Sequence, residues 1–132
     1  MTVDPFLPYE AHPDHRKAGM AAVEACLFSM FPHFYSYGET QPSRELWTVH
    51  GVALYNTAYP NTFINVDDTW NLKIQSISAH KSQFSGQEFE MLKMYFEYKS
   101  KQLAKDKGFV YAEGFKVLTP ALLHSNVDAI NW

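Results

Sequence analysis

Small and apolar residues recur at helical spacing from His15 onward. Ala18, Ala22, Ala25 and Ser29 share one stripe, and Val23, Leu27 and Met30 lie on the next. The spacing predicts a buried helix over His15–Met30, closely packed along its small-residue side. Ahead of it, Met1–Glu10 is short, apolar and broken by Pro5 and Pro8, which reads as the end of a strand running into a loop, with an element expected to precede it. Phe31–Arg44, with Pro32, Gly38 and Pro42 among its Tyr and Phe, predicts a connection. Leu46–Asn56 and Thr62–Val66 are rich in β-branched and aromatic residues and predict two strands, separated by a turn at Pro60-Asn61.

Asp67 or Asp68 is placed to cap the next helix, in which Trp70, Ile74, Ile77 and Lys81 keep helical spacing through Gln83. After Ser85-Gly86 a second helix carries Phe89, Leu92, Phe96 and Leu103 on one face, and Gly108 closes it. Val110–Leu118 predicts a strand and Pro120–His124 a terminal turn or short helix. The order strand, helix, two strands, two helices, strand indicates an α/β fold with a mixed sheet and packed helices. Repeats, low-complexity tracts and interdomain linkers are not evident.

A chain of 132 residues, 46% apolar and 19% charged, fits one folded domain and excludes disordered and fibrous classes. Eleven basic against fourteen acidic residues leave a net charge of −3, without the basic excess that nucleic acid or an anionic membrane surface demands, so neither is an expected partner. The single cysteine, Cys26, reads as a small buried hydrophobe. With no internal disulfide possible and no signal-peptide pattern in the first ten residues, a cytoplasmic location is expected. No apolar run approaches the ~20 residues that span a bilayer.

Chemically capable side chains are densest at Glu10-Ala11-His12-Pro13-Asp14-His15, between the first strand and first helix. Ligands of open α/β sheets collect at such places, and a helix N-terminus favours anions. Two histidines flanking an aspartate suit either a metal or an oriented acid/base pair. Pro13 is expected to keep the stretch extended, with His12 and Asp14 on one side and His15 on the other or in the helix start. Asp14 then orients His12, and His15 alone reaches a metal. In the plainer reading, Asp14 caps the helix and both imidazoles are solvated.

The string His12-Pro13-Asp14-His15-Arg16 before an Ala-rich helix resembles a signature of the PIG-L/LmbE family of zinc-dependent N-deacetylases. Further matches follow in order: Val66-Asp67 entering a helix with Lys73, then Ala79-His80-Lys81-Ser82-Gln83, then Tyr111-Ala112-Glu113-Gly114-Phe115. The resemblance covers the C-terminal half of the family's domain, so residues 1–132 are expected to form a single, partial domain without the N-terminal Rossmann-like half. That half carries the AHPDD-type motif that supplies two zinc ligands and the general base, and no such motif occurs here.

By resemblance, His15 corresponds to the third zinc ligand. His12, paired with Asp14, corresponds to the residue that stabilises the tetrahedral intermediate and helps protonate the leaving amine. Glu10 stands where some members place a tyrosine, with Tyr9 one step earlier. The implied reaction is removal of an N-acetyl group from an amino sugar of the N-acetylglucosamine type, with zinc as cofactor. The isolated chain is expected to be inactive, and to self-associate or pair with an N-terminal half through the edge of its first strand. Two alternatives stay open: a non-catalytic remnant or interaction module, and a metallo-β-lactamase-like hydrolase, whose H-x-H-x-D-H loop resembles Glu10–His15.

Other candidates carry two readings. His80 is expected within the helix from Trp70, either packed there or close to the metal-bearing loops. Glu113 reads as an acceptor behind the metal site or an exposed strand carboxylate, and Tyr111 as core. His33, His50 and His124 lack a companion at ligand spacing.

Overall fold

The computed structural model describes residues 1–31 and 47–125, the last two by their backbone only. The elements are β1 (Thr2–Val3), α1 (Pro13–Phe28), β2 (Val52–Tyr55), β3 (Thr62–Asn65), a 3-10 turn at Asp67–Thr69, α2 (Trp70–Ser78), α3 (Gly86–Ala104), β4 (Ala112–Leu118) and α4 (Pro120–Ser125). The four strands form a mixed sheet in the order β1-β2-β4-β3, with β1 parallel to β2 and β2 antiparallel to β4. The mixed α/β architecture is the one the sequence pattern indicates. The expected connection at Phe31–Arg44 lies outside the described residues from Pro32 on, as do His33 and the side chain of His124.

Two compact units divide the chain: residues 1–61 with the segment from 115 onward, and Thr62–Gly114. In the first, Val23, Val52, Leu54 and Leu118 are buried together, with Cys26, Val49 and Leu123 packed against them. Helix α1 does not bury the predicted Ala18–Ala22–Ala25 stripe. Its buried residues are Gly19 and Val23, since a Cβ at position 19 would lie 2.7 Å from the Val3 carbonyl oxygen. Only glycine lets the helix backbone approach β1 this closely.

Strand β2 is four residues long, shorter than the expected Leu46–Asn56, of which Leu46 lies outside the described residues, because a strand persists only where partners hydrogen-bond to it. Leu54 and Tyr55 pair with Thr2 and Val3, and Val52–Leu54 pair with Leu118–Lys116. Asn56, at φ 56°, then turns the chain away. Asn61 behaves as one further ladder residue: its side chain donates to Val117 O at 3.0 Å and accepts from Val117 N at 2.8 Å.

In the second unit, Phe89, Leu92, Phe96 and Leu103 line the inward face of α3 as expected, all half-buried. The Ser100 hydroxyl ties this helix to β4 by donating to Ala112 O at 2.9 Å. Three local expectations change. Asp67 does not cap α2, whose N-cap, Thr69, makes no side-chain capping bond. The Asp67 carboxylate instead accepts from the backbone N–H groups of Val110 and Tyr111 at 3.0 and 2.6 Å, two donors that the strand ladder leaves unserved. Helix α2 stops at Ser78, short of Gln83, and tightens into i→i+3 bonds from Ala79 N to Ser76 O and His80 N to Ile77 O. His80 therefore lies in an exposed turn and not in the helix, because Lys81-Ser82-Gln83 offers no apolar residue to pack. Finally, α3 ends at Ala104, and the polar turn after it, with Asp106 and Gly108 in left-handed conformations, reverses the chain. No helix among the described residues is long and apolar enough to cross a membrane.

Candidate active-site corner at the start of helix α1

Pro13 opens α1 at its first turn, where a missing N–H costs nothing and the fixed φ suits a helix. His15 thus lies in the helix start, one of its two expected placements, while the extended geometry expected of residues 12–15 is overturned. With His12 as N-cap and His15 three residues on, the two imidazoles fall on the same side and stack, their centroids 4.4 Å apart at 21°.

Each ring has one nitrogen engaged. His12 Nδ1 accepts the backbone N–H of Asp14 at 3.2 Å, filling the role usually taken by Ser, Thr, Asp or Asn at this position. An accepting Nδ1 places the proton of the neutral ring on Nε2. His15 Nδ1 lies 3.2 Å from Glu10 Oε2, and donation to that carboxylate leaves the Nε2 lone pair of His15 available. The other Glu10 oxygen accepts the backbone N–H of His12 at 3.0 Å. That bond first, and the His15 contact second, hold the Glu10 carboxyl below its ordinary range. The His15 side chain is 54% exposed, so a bound group can reach the corner.

Glu10, His12, Asp14 and His15 are thus brought together, with roles that differ from expectation. Asp14 holds His12 through its backbone N–H and not through its carboxylate. Glu10, read from the sequence as standing at a tyrosine position of the family or at the first position of an H-x-H-x-D-H loop, orients His15. Its signal was the spacing of five residues, which spans one helix start once Pro13 is read as N1.

As a partial metal site the corner fits. Metal-bound imidazoles usually donate their second N–H to a carboxylate, as His15 does to Glu10. Among the described residues, no three His, Cys, Asp or Glu side chains converge to hold an ion, and a catalytic zinc ordinarily takes three protein ligands.

The remaining candidates belong to the second unit. Glu113 accepts from Lys73 Nζ, and both side chains are about one-third exposed. Lys73 also lies 5.6 Å from the Phe96 ring centre, and Trp70 stacks on Tyr111 with centroids 4.4 Å apart. Tyr111 is a packing residue, as expected, and its hydroxyl approaches Glu97.

No family model matches the chain. It is 33% identical over 121 residues to the diacetylchitobiose deacetylase of Thermococcus kodakarensis, a match that takes in 92% of this chain and 45% of that protein. The solved structure of N,N'-diacetylchitobiose deacetylase from Pyrococcus horikoshii, in complex with its inhibitor MPG, matches with a TM-score of 0.79 and 31% identity. That match covers 96% of this chain and 48% of that one. The chain therefore spans about half the length of the relatives it matches, and does so over nearly all of its own.

Proposed function

We propose that the chain supplies part of the active site of a zinc-dependent N-deacetylase of the PIG-L/LmbE type. Its substrate is an N-acetylated amino sugar related to diacetylchitobiose. The observation that carries this reading is the paired-histidine corner, placed at a helix start in a chain that resembles diacetylchitobiose deacetylases over 92% of its length.

In this reading His15 contributes one zinc ligand through Nε2, and Glu10 fixes its ring by accepting from Nδ1. Bound zinc supplies a Lewis acid for the acetyl carbonyl and acidifies water. His12 presents an Nε2–H donor to the oxygen that gains charge as the amide carbon becomes tetrahedral. Asp14 is a positioning residue, since it acts through His12. Two more metal ligands and the general base come from polypeptide outside this chain, which is inactive alone and acts when paired with it.

The test is acetate release from N,N'-diacetylchitobiose in the presence of zinc. The chain is assayed alone and after mixing with the portion of a diacetylchitobiose deacetylase that it does not span. Release only from the mixture, abolished by His15→Ala, is the expected result. Release by the chain alone overturns its dependence on outside ligands. A mixture that forms a complex by sedimentation yet releases nothing overturns the deacetylase reading.

A further inference from the structure

Helix α3 carries a second apolar face. Opposite the half-buried Phe89, Leu92 and Phe96, the residues Met91, Met94, Tyr95 and Tyr98 follow one another at i, i+3, i+4 and i+7. They are 65%, 69%, 54% and 66% exposed. Single exposed apolar residues are ordinary, but a stripe of four over two turns of one helix is a contact surface without its contact. Methionine and tyrosine are the residue types that interface centres favour.

The charges bordering the stripe identify what fits it. At 100° per residue, Glu88 and Lys99 fall along one border, and Glu90 and Lys101 along the other. Each border is acidic toward the helix N-terminus and basic toward its C-terminus. Two copies of α3 packed antiparallel about a two-fold axis set each border against its own reversed image. Glu88 then faces Lys99 of the second copy on one side, and Glu90 faces Lys101 on the other. Both pairs centre within a residue of Met94 and Tyr95, the middle of the apolar stripe. A parallel packing brings Glu88 to Glu90 and Lys99 to Lys101, like against like. Lys101 also holds Glu97 on its own helix at 2.7 Å, and its three donors allow both contacts.

We propose that this face of α3 is the interface of a two-fold symmetric, antiparallel dimer of the chain, a statement that does not depend on the deacetylase reading. A single helix pair lies at the small end of protein interfaces, so the dimer dissociates in the micromolar range. Sedimentation velocity over a concentration series reads it directly. Met94→Glu is expected to raise the dissociation constant by about tenfold or more, with an unchanged far-UV spectrum because the position is exposed; Tyr98→Glu repeats the test at a second site. Glu88→Lys weakens association, and adding Lys99→Glu to it returns the constant to within about threefold of the parent, because the border is reversed but still complementary. A chain that stays monomeric into the hundreds of micromolar overturns the proposal, including one whose α3 face is covered only when the rest of a deacetylase is added. So does self-association that both glutamate variants leave intact. A double charge variant no stronger than Glu88→Lys overturns the antiparallel arrangement.

Discussion

The corner at Glu10–His15 draws its partners from six consecutive residues, whereas the cluster of Asp67, Lys73, Tyr111 and Glu113 joins groups 40 and more residues apart. The two contain similar side chains and do opposite work. In the first, forming one helical turn suffices to stack two imidazoles and engage one nitrogen of each, while the outer nitrogens stay available at an exposed position. In the second, a carboxylate gathers the backbone of a distant segment and an ion pair closes β4 onto α2, so the polar groups hold the unit together. A charged cluster built locally and left open is suited to chemistry, while one built over long range and half-buried is suited to stability.

The widest test of this contrast is on activity. In an assembly that deacetylates, His15→Ala should lose zinc and more than about 10³-fold in kcat/KM, because two remaining ligands hold the ion weakly. His12→Ala should keep zinc and lose about 10²–10³-fold in kcat with little change in KM. His15→Ala should leave the Tm of the isolated chain nearly unchanged, as the side chain is exposed, whereas His12→Ala also removes the cap of α1 and should cost about 1 kcal/mol. Asp14→Asn, which retains the backbone N–H on His12, should have the smaller effect. Metal analysis beside steady-state kinetics checks all three; zinc lost by His12→Ala and kept by His15→Ala would reverse the assigned roles.

On stability the expectation inverts. Asp67→Ala removes the acceptor of two backbone donors, one of them half-buried, and should lower unfolding free energy by about 2–3 kcal/mol in urea titration. A loss below about 0.5 kcal/mol would break the contrast between the regions.

Gly19→Ala sharpens it, because the first unit draws stability from the contact of α1 with β1. Helix propensity gains about 1 kcal/mol from alanine. The 2.7 Å approach of the new Cβ to backbone outweighs this, leaving a net loss of about 1–2 kcal/mol by thermal unfolding.

The smallest effect is electrostatic. The Lys101 ammonium, by hydrogen bond and then by charge, holds the Glu97 carboxyl below 4.5, and the Tyr111 hydroxyl adds to this. A lowered folded-state value means that the contact favours folding above the ordinary carboxylate range, and that this contribution disappears as pH falls through the lowered value. Carboxyl carbon NMR should place the Glu97 midpoint below 4.5, and Lys101→Met should move it upward.

Wherever the deciding contacts are near neighbours, the amino-acid pattern determined the outcome. The inward face of α3 follows from Phe89, Leu92 and Phe96 at three- and four-residue spacing, whereas Pro13, which suits an extended stretch as well as a first helical turn, left the start of α1 open. The mixed α/β class follows from the order of such elements. Tertiary structure alone decided that β4 inserts between β2 and β3, which keeps only four residues of the long β-prone stretch before Asn56 as a strand. It also decided that Gly19 and not the alanine stripe meets β1, and that Asp67 serves Val110 and Tyr111 instead of the helix beside it. Periodicity records which side of an element is apolar. Which distant backbone donors lack an acceptor is known only once the strands have paired.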